Sequence, residues 1–165
     1  MVAANCAAGR RGEMEISRYM KRNVVSIHQT ESIRAAAAVF VQKHIGLLPV
    51  VNDDNKPIGI VSLRDLLALE LPDFVSFIAD VDFVHDFGAV ETTRPSASTL
   101  DKSVETLMRS PITVEENSGL LRAYALMLQH NVHDILVVSN EGTLVGIASR
   151  VDIGTAILST WAKMD

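Results

Sequence analysis

The chain carries one sequence twice. Gly59-Ile-Val-Ser62-Leu-Arg64-Asp65 recurs as Gly146-Ile-Ala-Ser149-Arg150-Val-Asp152, a displacement of 87 residues (59 to 146). The register continues upstream without a gap. Val25-Ser26-Ile27 aligns with Ile112-Thr113-Val114, Ile33 with Leu120, Ala36 with Ala123, Phe40 with Met127, and Leu48-Pro49-Val50-Val51 with Ile135-Leu136-Val137-Val138. Repetition of this kind decides the architecture before any single element is assigned. A length of 165 residues holds one ordinary domain or two small packed repeats, and leaves no room for a catalytic domain beside a regulatory one.

Each copy reads the same way. A short β-rich piece (Val24 to Ile27; Ile112 to Val114) precedes apolar residues at the spacing of an amphipathic helix. These are Ile33, Ala36, Ala37, Phe40 and Val41 in the first copy, and Leu120, Ala123, Tyr124, Met127 and Leu128 in the second. An apolar run follows (Leu47 to Val51; Ile135 to Val138), then turn residues (Asn52 to Asn55; Asn140 to Gly142). A second apolar run ends in the glycine motif, which is the pattern of a hairpin. A final helix begins near Ser62 or Ser149. The predicted order is β-α-β-β-α, twice: an α/β (α+β) fold with repeats at 14–70 and 103–160, a flexible tail at 1–13 and a C-terminal end at 161–165. The intervening segment, 71–102, has no counterpart in either copy. Pro72 at a first helical position predicts a helix in its first half, and Thr92 to Thr99 reads as loop.

Composition narrows the function. Hydrophobic residues make up 48% of the chain and charged residues 21%, a core-forming balance rather than a disordered one. The longest uncharged apolar stretch, Ile153 to Ala162, is about half the roughly 18 to 20 residues that cross a bilayer, so no membrane span is expected. A formal charge of −5, without a basic run interleaved with aromatics, disfavours direct nucleic-acid binding. The single cysteine, Cys6, permits neither an internal disulfide nor a thiolate zinc site and suits a reducing cytoplasm. No Gly-x-Ser-x-Gly elbow, Walker-type loop or His-Glu-x-x-His is present, so the expectation is a protein that is not an enzyme.

The repeated turn has a chemistry of its own. A strand ending at Gly59-Ile-Val61 delivers the chain into a helix at Ser62, where a hydroxyl, free amides and the helix dipole favour an anion such as phosphate. Asp65, one turn on, is an acceptor suited to a ribose diol. Arg64 and Arg150 supply positive charge from different motif positions, so two sites built on the motifs should not be equivalent. Arg150 beside Ser149 marks the Asp152 site as the stronger one for phosphate. The alternative needs no ligand: Ser62-x-x-Asp65 and Ser149-x-x-Asp152 also read as capping boxes with Asp in place of Glu. His130-x-x-His133-Asp134 has the i, i+3 spacing of a metal pair but falls where a helix should end, which favours a dipole-stabilised histidine over a metal ligand. Asp80, Asp82, His85 and Asp86 form an acidic set that reads as a solvated face before a cation site.

Two β-α-β-β-α copies, each with an apolar strand such as Leu48-Pro49-Val50-Val51 and a Gly-Ile-x-Ser-x-x-Asp turn, resemble a tandem pair of CBS domains, a Bateman module. The resemblance covers roughly residues 14 to 70 and 103 to 160. It implies sheets packed with pseudo-twofold symmetry and two clefts that take adenosine-containing ligands, and hence a sensor. It places adenine against Val25, Ser26, Pro49, Ile112 and Thr113, with Ser62, Arg64, Asp65, His133, Ser149, Arg150 and Asp152 completing the ligand set. Leu136 departs from the family pattern, standing where the first copy has Pro49. The implied ligand is AMP, ATP or S-adenosylmethionine, with no obligatory cofactor. The implied partners are a second copy of the chain, through its apolar helix faces, and an effector protein. Alternatives are a ligand-free interaction module and a divalent-cation sensor built on the acidic linker.

Overall fold

The computed structural model describes residues 14–70 and 94–162. The first repeat runs β1 (Ile27–His28), α1 (Ile33–Lys43), β2 (Leu47–Val51), β3 (Pro57–Ser62) and α2 (Leu63–Leu67). A one-turn helix, α3 (Ala97–Leu100), precedes the second repeat, which runs β4 (Thr113–Glu115), α4 (Leu120–Gln129), β5 (Asp134–Val138), β6 (Leu144–Ser149) and α5 (Arg150–Trp161). The expected β-α-β-β-α order is present twice. Each repeat makes a three-stranded sheet, ordered β1-β2-β3 or β4-β5-β6, whose first pair is parallel and second antiparallel. The hairpins share one register: Val50 faces Gly59 as Val137 faces Gly146, and both ladders shift after that pair.

Local chemistry explains where the elements stop. Ser32 Oγ accepts from Ala35 N–H to open α1, and His44 at φ 50° closes it. Ile33, Ala36 and Phe40 fall on its buried face, matched by Leu120, Ala123 and Met127 on α4. In the first hairpin turn Asn52 Oδ1 accepts from the N–H groups of Asp54 and Lys56. Gly142 at φ 82° serves the second.

The two leading strands depart from expectation. β1 begins at Ile27, not Val24, and Ser26 lies outside it, whereas β4 includes Thr113. Leu136 N–H donates to Ile112 O at 3.1 Å and holds the start of β4 in its ladder. Pro49, the corresponding residue, has no N–H to offer, so β1 is shorter. A second correction concerns the stretch read as loop, where Ser96 Oγ accepts from Thr99 N–H and caps α3. The helix expected after Pro72, the acidic set Asp80 to Asp86 and the tail at 1–13 lie outside the described residues.

The repeats exchange their lead-in segments. Ile16 and Met20, which precede the first strand of the first repeat, are buried in the core of the second with Val114, Leu120, Met127, Ile135 and Ile153. Val104, which precedes the second repeat, is buried in the core of the first with Ile27, Phe40, Leu48 and Val61, and Met108 packs there too. Backbone bonds mirror the exchange: Lys21 and Ile147 bond each other in both directions at 2.8 and 3.0 Å, and so do Ile60 and Arg109 at 2.9 Å. The displacement here is 88 residues (16 to 104, 20 to 108), one more than within the repeats. A third apolar cluster, Val51, Ile60, Leu136 and Leu144, joins the two sheets. No helix among the described residues is long and apolar enough to cross a membrane.

The exchanged methionines explain the motif glycines. A Cβ on Gly59 would fall inside van der Waals contact of the Met108 side chain, and one on Gly146 inside that of Met20. Gly59→Ala and Gly146→Ala should each destabilise the protein by about 1–3 kcal/mol, the usual range for overpacking. Denaturant unfolding checks this, and the Gly146→Ala, Met20→Ala double variant should lose less stability than the sum of the two single losses.

Candidate functional site

Exchange of the lead-in segments carries a cation from each repeat onto the glycine motif of the other. Arg109, held by its backbone on Ile60, places its guanidinium at the start of α2. Lys21, held on Ile147, places its ammonium at the start of α5. Two clefts open beside these points. The larger, about 660 Å3, lies between Leu47, Ile60, Ser62 and Arg64 of the first repeat and Arg109, Ile112, His130, His133 and Asp134 of the second. Its pseudo-twofold mate, about 280 Å3, is lined by Lys21, Asn23, Val24, Val25, Ile45 and Ile147 and shares Gly46, Leu47 and Asp134 with it. Three residues, Arg22 to Val24, connect Lys21 to Val25 where two, Ser110 and Pro111, connect Arg109 to Ile112. Asn23 and Val24 thus stand at the wall of the smaller cleft.

Both motifs form complete capping boxes. Asp65 Oδ2 accepts from Ser62 N–H at 2.7 Å and from Ser62 Oγ–H at 2.6 Å, and Ser62 Oγ accepts from Asp65 N–H. Asp152 and Ser149 repeat these bonds at 2.9 and 2.7 Å. The surroundings differ. Arg109 Nη2 donates to Asp65 Oδ2 at 3.0 Å and to Ser62 Oγ at 3.2 Å. Lys21 Nζ stands 3.6 Å from Asp152 Oδ2.

The expected ligand residues are distributed unevenly. Ser62, Arg64, Ile112 and His133 line the larger cleft, and Asp65 joins it through Arg109. Val25 lines the smaller one, with Ser149 and Asp152 on the Lys21 side. Ser26 and Pro49 line neither cleft; Pro49 is buried in β2 opposite Ile60. Thr113 instead edges a separate hollow with Glu115, Ser118 and Arg122. Arg150, expected to charge the second site, donates from Nε to Val132 O at 2.8 Å and from Nη2 to Met127 O at 3.4 Å. It ties together the last turn of α4 and the residues just beyond it, bonding Val132 O and sharing Met127 O with the Val132 N–H. The stronger concentration of positive charge therefore falls on the Asp65 side, opposite to expectation. No group of three or more metal-ligating side chains occurs among the described residues, although His130 and His133 both reach the larger cleft.

Arg109 and Lys21 are functional candidates that residue spacing within the repeats did not reveal, and Asp134, noted only beside a histidine pair, lines both clefts. The available signal was Met20-Lys21 against Met108-Arg109, hidden by its 88-residue offset. Burial pushes the Asp134 carboxyl above the ordinary aspartate value; His133 and Lys21 pull it back, and Asp152 adds to the rise. Burial also acts upward on Asp152, but the bonds from Ser149 and the Lys21 charge outweigh it and hold that carboxyl below the ordinary value.

A family model for the CBS domain matches the chain twice, over residues 16–71 and 104–159. The chain belongs to that family as a tandem pair, a Bateman module. It is 30% identical over 163 residues to CBS domain-containing protein CBSX1, chloroplastic, of Arabidopsis thaliana, with 93% of this chain and 68% of that protein covered. Its fold is similar to CBSX2 in complex with AMP, at 25% identity and a TM-score of 0.66, covering 89% of this chain and 98% of that one. It is also similar to CBS domain protein PAE2072 from Pyrobaculum aerophilum complexed with AMP, at 26% identity and a TM-score of 0.64, covering 90% and 98%. The chain spans between 31% and 68% of the length of the first curated relatives it matches.

The two shifted carboxyls act on stability with opposite sign. Asp152, held low in the fold, stabilises above the ordinary value of 3.8 and loses that contribution as pH falls through its folded pKa. Asp134, held high, makes the fold less stable as pH rises from 3.8 through its folded pKa. Thermal melts across pH 3 to 7, a range chosen to span about the ordinary carboxylate values, should show Asp152→Asn less stable than wild type near neutrality. Asp134→Asn should be more stable there, and both differences should shrink on acidification.

Proposed function

We propose that this chain is a non-catalytic regulatory module that binds an adenine nucleotide in its larger inter-repeat cleft. The observation that carries the reading is the gathering of Arg64, Arg109, His130 and His133 around the Ser62–Asp65 motif in a protein whose net charge is −5. Guanidinium groups are suited to phosphate and match its oxygens in pairs. The Asp65 carboxylate suits a ribose diol, and Leu47, Ile60 and Ile112 give the apolar wall that a purine needs. The cleft's 660 Å3 falls inside the roughly 300–1,000 Å3 common to small-molecule sites, while the 280 Å3 of its mate falls at the lower edge. Two similar proteins were solved with AMP, which supports the same ligand class here. Two arginines favour phosphate over the sulfonium of S-adenosylmethionine. The capping boxes do not oppose this reading, because one carboxylate can close a helix turn and accept from a ligand.

A ligand in that cleft touches both repeats and so biases their relative pose, by no more than its difference in affinity between poses. An effector protein reads the pose. The single Cys6 fits a reducing compartment such as the cytoplasm.

Calorimetric titration of AMP and ATP tests the ligand. Wild type should bind at least one, and Asp65→Ala should weaken it by about tenfold or more, as for loss of a charged hydrogen bond. Asp152→Ala should have the smaller effect. Absence of heat from both nucleotides would overturn the reading in favour of a ligand-free interaction module. That second reading draws on exposed apolar side chains, Val41 on α1, Leu121 and Leu128 on α4, and Val151, Leu158 and Trp161 on α5. They also support a homodimer through helix faces. Sedimentation should show a dimer at tens of micromolar, roughly where ordinary dimers are populated; a monomer there would remove the dimer.

A further inference from the structure

The two capping carboxylates are equivalent in sequence and unequal in their cations. Asp152 faces an amine that is 67% exposed and 3.6 Å away. Asp65 and Asp152 are buried to a similar degree, 17% and 22% exposed, but the Arg109 guanidinium bonds both Asp65 Oδ2 and the Ser62 hydroxyl. The bonds to the Asp65 carboxylate, from Ser62 N–H, the Ser62 hydroxyl and Arg109, converge on Oδ2, so a ribose diol that takes both carboxylate oxygens meets Arg109 at one of them. The Arg109 backbone is fixed independently of that side-chain contact, by the paired bonds with Ile60 and by neighbouring Met108 against the first core. Its side chain is 58% exposed and lines the larger cleft, so it is free to turn between Asp65 and a ligand without disturbing the backbone.

We propose that Arg109 is a specificity-determining latch that makes recognition of ribose conditional on phosphate. It rests on the nucleotide reading of the larger cleft and adds a rule to it. A ligand bearing an anion attracts the guanidinium, and Asp65 is released for the hydroxyls in the same event. A neutral nucleoside must break the Arg109–Asp65 pair and offers no anion in exchange. The phosphate is thus worth more than its own contacts, because it also uncovers the ribose acceptor. Arg64 lines the same cleft but bonds neither Ser62 nor Asp65, so it contributes charge without the latch. The Lys21–Asp152 pair lacks a bond to Ser149 and sets no such condition on the smaller cleft.

The test is a comparison of AMP with adenosine, titrated calorimetrically into wild type, Arg109→Ala and Arg64→Ala. In Arg109→Ala, AMP should weaken about tenfold for the lost charged contact, while adenosine should tighten several-fold because Asp65 stands uncovered. Opposite movement of the two ligands is the signature of the latch. Arg64→Ala should weaken AMP and leave adenosine where it was. Parallel weakening of both ligands in Arg109→Ala, or an adenosine affinity that does not move, overturns the latch while leaving nucleotide binding intact. Wild type that binds no AMP removes the nucleotide reading and the latch together. Should Arg109→Ala not fold, Arg109→Lys decides: a shorter point charge should narrow the AMP-to-adenosine ratio, and an unchanged ratio counts against the proposal.

Discussion

The exchange of lead-in segments is the constraint on which the rest of this structure depends. Neither sheet and helix pair closes its own core; Ile16 and Met20 fill the second repeat, and Val104 and Met108 fill or cover the first. The motif glycines follow from it, because a methionine from the other repeat lies where their Cβ would be. So does the charge of the clefts, since the residue after each methionine is a cation delivered onto the opposite motif. A duplicated sequence thereby becomes one packed unit in which each core contains residues from both repeats.

Symmetry of the scaffold coexists with asymmetry of the sites. The hairpins agree pair for pair, yet the clefts differ more than twofold in volume. Single positions account for much of this. An extra residue in the Arg22 to Val24 connection lines the smaller cleft, and arginine faces one motif where lysine faces the other. Leu47 and Asp134 occupy equivalent positions, one apolar and one acidic, and both line both clefts. The seam between the repeats therefore sets an apolar side chain against an acidic one, and burial of Asp134 there raises the carboxyl.

Much of this was legible in the amino acids. The 87-residue register identified the paired hairpins, both Ser-x-x-Asp capping boxes and the centre of the buried faces of α1 and α4, though Val41 and Leu128, read onto those faces, are exposed; these features depend on contacts within a few residues or on simple periodicity. The exchange was not legible. Ile16 to Met20 and Val104 to Met108 are too short to show a period, and their offset differs from that of the repeats. Arg150 was misread for a related reason: the Met127 and Val132 carbonyls that hold it lie far away in the chain and only tertiary packing brings them near. The truncation of β1 was in principle readable, since Pro49 lacks the donor that Leu136 supplies.

The one-residue difference between the two displacements bears on ancestry. A single repeat with its own lead-in would be left with an open core and a loose plug, and two such chains would close each other by trading plugs, as domain-swapped dimers do. Joining two copies head to tail keeps that arrangement within one chain. The crossing contacts are those that two separate copies would make with each other, and the length difference sits in the connections, Arg22 to Val24 and Ser110 to Pro111, where a repeated pair can differ without disturbing either core.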